Sequence, residues 1–100
     1  MTIVGAGGHV FASVAHSKRF AREYAKLTTP MKDKVDVKLR DLCTTPRPAG
    51  LAFEKLKGYA NPDIYTIHVT GNYKISLEVL ATGGAWLRRV GTHDEITRAP

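Results

Sequence analysis

The stretch RRVGTHDEITRAP brings Arg88, Arg89, His93, Asp94 and Glu95 within a few residues of one another. Such a set can be a metal site, the acid-base end of an active site, or a polar tail that stops a strand. A metal centre fits poorly. Consecutive side chains point in different directions, and no second cluster supplies the remaining ligands. Cys43 is the only cysteine, which excludes an intramolecular disulfide and a cysteine-rich zinc site. We expect it as a small buried apolar residue at a helix end. No motif asks for a cofactor. His93 suits proton transfer near neutrality, because a histidine ordinarily titrates at about 6.5.

Two strands place a second histidine. Tyr65, Ile67 and Val69 alternate with Thr66, His68 and Thr70, and Tyr73, Ile75, Leu77 and Val79 alternate with Lys74, Ser76 and Glu78. Alternation of this kind predicts two half-buried strands. A two-residue turn at Gly71-Asn72 would oppose Val69 to Lys74 and mix apolar with polar residues on each face. A loop of Thr70, Gly71 and Asn72 instead pairs Val69 with Tyr73 and Ile67 with Ile75, so all apolar residues share one face. Asn72 is then expected in the left-handed conformation. His68 and Lys74 become direct neighbours on the polar face. A third strand over Ala85 to Val90 is expected with Trp86 and Val90 inward. Leu87, Arg89 and, if the strand persists, His93 then face the side of His68 and Lys74. Either parity of this strand sends an arginine toward the core.

The first half is helical. Val10 to Ala15 reads as a short strand, and Ser17 caps a helix to about Leu27 with Phe20, Tyr24 and Leu27 on one face. Thr29 as cap and Pro30 as first residue begin a second helix, along which Met31, Val35, Leu39 and Leu42 recur. Thr44 to Gly50, with Pro46 and Pro48, is a crossing loop. The expected fold is α+β, in the order β-α-α-β-β-β, with a helical hairpin on one face of an antiparallel sheet. Residues 1–100 form one domain, with 1–8 as a loose leader. The chain has no apolar run that could span a membrane and no segment of signal-peptide type, and its one cysteine fits a reduced, cytoplasmic setting. Its formal charge of +6 favours an acidic partner such as nucleic acid or an acidic protein.

The segments GLAFEKLKGYANPDIYTIHVTGNYKISLEV and WLRRVGTHDEITR resemble the RelE/ParE superfamily of type II toxins. The resemblance rests on Leu56-Lys57-Gly58, the strands starting at Tyr65 and Tyr73, and the closing Val90-Gly91-Thr92-His93-Asp94-Glu95, and it spans residues 50–98. It implies a toxin neutralised by a cognate antitoxin, with which it forms a hetero-oligomer. In the RelE-like branch it implies a metal-independent endoribonuclease, an mRNA interferase that cleaves mRNA on the ribosome and blocks translation. Such cleavage needs a base for the 2′-hydroxyl, an acid for the 5′-oxygen and cations for the phosphorane. The resemblance assigns Glu54 as base and His93 as acid; His68, which the family pattern does not carry, is a further candidate acid or base because it lies beside Lys74. Lys55, Lys57 and Lys74 are candidate phosphate contacts, and Arg89 joins them from the third strand. The chain departs from the family pattern at His68 and Lys74, which stand in place of arginines, and at Thr97, which stands in place of a tyrosine. Those departures point to the alternative: a non-catalytic binding protein of the same fold, either a ParE-like inhibitor of DNA gyrase or an inactive toxin relic.

Overall fold

Ser17 and Thr28 each close an extended segment with a side-chain oxygen that takes up an orphan helix N–H. Ser17 Oγ accepts from Phe20 N at 3.0 Å, and Thr28 Oγ1 accepts from Met31 N at 3.3 Å. These caps start α1 (Lys18–Ala25) and α2 (Thr29–Leu42), with Pro30 in the first turn of α2. The second cap is therefore Thr28 rather than Thr29. The computed structural model describes residue 11 and residues 13–44 and 49–100. The expected leader and most of the Thr44–Gly50 loop fall outside the described residues. Where the chain is described again, Ala49–Leu51 makes a short 3-10 turn. Cys43 does lie at the end of α2, but it is exposed rather than buried.

The sheet contains β1 (Val14–His16), β2 (Glu54–Lys55), β3 (Tyr65–His68), β4 (Tyr73–Val79) and β5 (Ala85–Thr92), in the spatial order β1-β5-β4-β3-β2. Its three central and outer pairings from β2 to β5 are antiparallel, while β1 joins β5 in parallel. The sheet is thus mixed, not purely antiparallel. The long connection that a parallel neighbour requires is made of the helical hairpin followed by β2, β3 and β4. Phe20 from α1 and Val35 and Leu42 from α2 pack on Ile67, Ile75, Leu77, Leu87 and Val90, which forms the main core. The two helices are also tied to each other. Tyr24 OH donates to Asp36 Oδ1 at 2.8 Å, which raises the phenol's pKa, since ionisation would lose that bond.

The β3–β4 register matches the pattern argument, with Ile67 opposite Ile75 and His68 opposite Lys74. The turn achieves it differently. Asn72 does not adopt a left-handed conformation. Thr70 Oγ1 instead accepts from Asn72 N at 3.2 Å and from Tyr73 N at 3.1 Å, so a threonine side chain closes the loop.

On β5 the parity problem is solved by a bulge. Ser76 pairs with Arg89 and Leu77 pairs with Leu87, which leaves Arg88 as the extra residue. Leu87 and Val90 both reach the core, and Trp86, opposite Glu78, does not. The expected inward Trp86 and outward Leu87 are therefore reversed. Beyond Thr92 the strand stops. Thr92 Oγ1 accepts from Glu95 N at 3.3 Å and Glu95 Oε1 accepts from Thr92 N at 3.0 Å, a reciprocal cap that starts α3 (His93–Arg98).

Candidate functional site

The face of the sheet turned away from α1 and α2 carries the residues of interest. Paired residues in antiparallel strands share a face, with Cβ atoms about 5 Å apart. The pairs Glu54–Thr66, Thr66–Ser76 and Ser76–Arg89 form one row across the sheet, and His68–Lys74 and Lys74–Gly91 form the next. Glu54 is thereby diagonal to His68 on the adjoining strand, a separation of roughly 7–8 Å. Glu54, His68 and Lys74 are brought together on one surface.

This face is only partly open. A Cβ added to Gly91 would lie 3.1 Å from Glu95 Oε1 and 3.6 Å from Ile96 Cδ1, so the glycine lets α3 lie close on the sheet. Ile96 is fully buried there. Lys74 is only 8% exposed, and among the described residues nothing pairs with its ammonium. Thr66 Oγ1 and Ser76 Oγ are buried and unpartnered beside it. The stem is covered while the ammonium keeps contact with solvent, so a free cation stands beside two unsatisfied hydroxyls. It is a strong local attraction for an anion that could reach it.

His93 is the first residue of α3, not the continuation of β5. Its amide donates to Asn72 O at 2.6 Å, which fixes the helix start against the β3–β4 turn, two residues from Lys74. The imidazole is 46% exposed and its Nδ1 lies 3.5 Å from Asp94 Oδ1. The capping contacts from Thr92 hold the Glu95 carboxyl below its ordinary pKa. Among the described residues, no three His, Cys, Asp or Glu side chains gather as a metal-binding group.

The cations divide. Lys55 pairs with Tyr65 and so shares the opposite face from Glu54, where its Nζ meets Asp63 Oδ2 at 3.3 Å across an exposed ion pair. Lys57 follows β2 and is exposed. Arg89 departs from its expected role as a phosphate contact. Its Nε and Nη2 donate to the Glu23 carboxylate at 3.1 and 2.7 Å, and its Nη1 donates to Ala99 O at 2.9 Å. It is 8% exposed and its donors are taken within the chain. Sequence reasoning did not foresee Glu23. The available signal was that Glu23 is the only acid in α1, among Lys18, Arg19 and Arg22. Nor did it foresee Glu78, which binds the bulged Arg88.

No protein-family profile matches the chain, and no curated protein matches it. Solved structures do. A RelB–RelE antitoxin–toxin complex from Methanococcus jannaschii is 23% identical with a TM-score of 0.63, over 86% of this chain and 99% of that one. YafQ from E. coli strain BL21(DE3) is 19% identical with a TM-score of 0.66, over 83% and 94%. An archaeal RelE–RelB complex from Pyrococcus horikoshii OT3 is 16% identical with a TM-score of 0.64, over 84% and 94%. The chain has the RelE-type toxin fold.

Proposed function

We propose that this chain is the toxin of a type II toxin–antitoxin pair and acts as a ribosome-dependent, metal-independent mRNA endoribonuclease in the cytoplasm. The observation that carries this reading is the placement of His68 directly opposite Lys74, whose ammonium has no partner among the described residues. Glu54 lies on the same face and His93 at the adjoining end of the sheet. The likeness to toxins solved with their antitoxins supports a cognate antitoxin as partner, and the charge of +6 supports an RNA target.

In this reading Glu54 or His68 takes the proton of the 2′-hydroxyl, and the 2′-oxygen attacks phosphorus. The bond from phosphorus to the 5′-oxygen breaks, and that oxygen takes a proton from His93. The products are a 2′,3′-cyclic phosphate and a 5′-hydroxyl. Lys74 offsets the charge gathered on the phosphorane, with Lys57 holding the flanking backbone. A lysine does this as a point charge, without the planar fork of an arginine.

A second reading has support of its own. Arg89 is held inside the molecule, and Thr97 offers no ring for a base to stack on. Both favour a binding protein of the same fold, acting on DNA gyrase or merely retaining its antitoxin. Inducing the chain in bacteria separates the two. Cleavage of mRNA at codon boundaries is the expected result, whereas altered DNA supercoiling with intact mRNA overturns the nuclease.

A further inference from the structure

β1 ends at His16, which pairs with Leu87, while β5 runs on to Thr92. Among the described residues, no strand pairs with the outer edge of β5 past Leu87. Glu23 of α1 fills that gap. Its Oε1 accepts from Val90 N at 3.3 Å, and its two oxygens receive Nε and Nη2 of Arg89. The remaining arm of the same guanidinium reaches the other layer, where Nη1 donates to Ala99 O at 2.9 Å and lies 3.5 Å from Glu95 O. These are carbonyls at the C-terminal end of α3, where a cation is favoured by the helix dipole. One chain of contacts thus runs from α1 across the sheet edge to the end of α3.

The geometry points to Glu23 as a positioning residue for His93, acting through Arg89. This rests on the proposed role of His93 as the acid. α3 is six residues long, too short to hold itself in water. Its N-terminus is fixed by the Thr92 cap and by the His93 amide on Asn72 O, and its C-terminus by Arg89. Glu23 in turn fixes the direction of Arg89. A neutral residue at position 23 would leave Arg89 with one strong anchor, and so short a helix would loosen as a whole, with the N-terminal cap that seats His93 loosening too. Misplacing a reacting group by about 1 Å from a distant change costs up to about 100-fold in rate.

The test is Glu23→Gln, with Glu23→Asp as the charge-conserving variant and Arg89→Lys as the alternative should Glu23→Gln fail to fold. Amide exchange at His93 and Ala99 and the line shape of the His93 ring resonances read the position of α3 without reference to catalysis. Cleavage of mRNA on programmed ribosomes reads the consequence. Glu23→Gln is expected to speed exchange at Ala99 and His93 at least tenfold and to lower kcat about 10- to 100-fold with KM within twofold. Glu23→Asp is expected to recover part of both. Unchanged exchange at both amides overturns the positioning role whether or not the protein cleaves RNA. A rise in cleavage also overturns it, because that means Arg89 serves phosphate once Glu23 releases it. Faster exchange in a protein whose wild type leaves mRNA intact upholds the clamp and removes only the nuclease reading.

Discussion

At the scale of single residues, His68 and Lys74 make opposite demands. Lys74 buries its stem, while its ammonium reaches solvent and has no partner among the described residues. If it is kept for an anion, removing its charge must harm the function and leave the fold nearly untouched. Lys74→Met retains most of the stem's packing, so it should leave the melting temperature nearly unchanged and weaken RNA binding. Thermal melts and filter binding on the same preparations check both. A variant that melts lower and binds as before would show that the ammonium is a structural group. His68 is half-buried directly opposite it, so a phosphate held by Lys74 would lie within its reach. His68→Ala should fold normally and lose cleavage by about 100-fold or more, the range for a group that moves a proton. Full cleavage on programmed ribosomes by this variant would remove His68 from the chemistry.

Elements show what the sequence could and could not convey. The β3–β4 register was legible because one face must be apolar, and only one pairing of Ile67 and Val69 with Ile75 and Tyr73 achieves that. Placement of His68 beside Lys74 followed directly. β5 was not legible. Strict alternation cannot keep Leu87 and Val90 in the core, and the bulge at Arg88 that resolves this depends on Glu78 of the neighbouring strand. α3 was legible in principle, since Thr92-His93-Asp94-Glu95 has the spacing of a reciprocal cap. The apolar run leading into it reads as strand and hides the boundary. That cap carries a pH signature. Thr92 N–H and hydroxyl hold the Glu95 carboxylate below its ordinary pKa, so the stabilisation is complete above the usual glutamate range. It is lost as pH falls through the lower folded value. α3 should therefore loosen in acid, seen as faster exchange at Ala99, while the main core holds. Thr92→Ala should remove that pH dependence and cost about 1 kcal/mol of stability. A second local signal lies at Ala52, which takes φ 52° on the way into β2. Ala52→Gly relieves a left-handed conformation worth roughly 1 kcal/mol, and should raise the melting temperature without moving Glu54.

For the whole molecule the question is where the excess positive charge does its work. The sheet site has Lys57 and Lys74 toward solvent or substrate, with Lys55 partly answered by Asp63. The larger share lies on the hairpin, where Lys18, Arg19, Arg22 and Lys26 precede Lys32, Lys34, Lys38 and Arg40. Lys34 and Lys38, with Asp33, flank Val37, which is 44% exposed, and Val69 just past β3, on the hairpin side of the sheet and opposite in facing to His68 and Lys74. A ribosome offers phosphate over a surface far wider than one scissile bond, and each phosphate neutralised by a cation releases counterions. The log of affinity then falls with log salt by roughly 0.7–0.9 per contact. Replacing Lys34 and Lys38 by glutamine removes two charges that take no part in the chemistry. If the helix face meets ribosomal RNA, the variant should bind ribosomes more weakly at low salt and converge with wild type as salt rises. Its slope should be shallower by roughly 1.4–1.8, and kcat on saturated complexes should stay unchanged. An identical slope would mean that α2 merely solvates its lysines, and that the sheet site alone carries the electrostatic attraction to RNA.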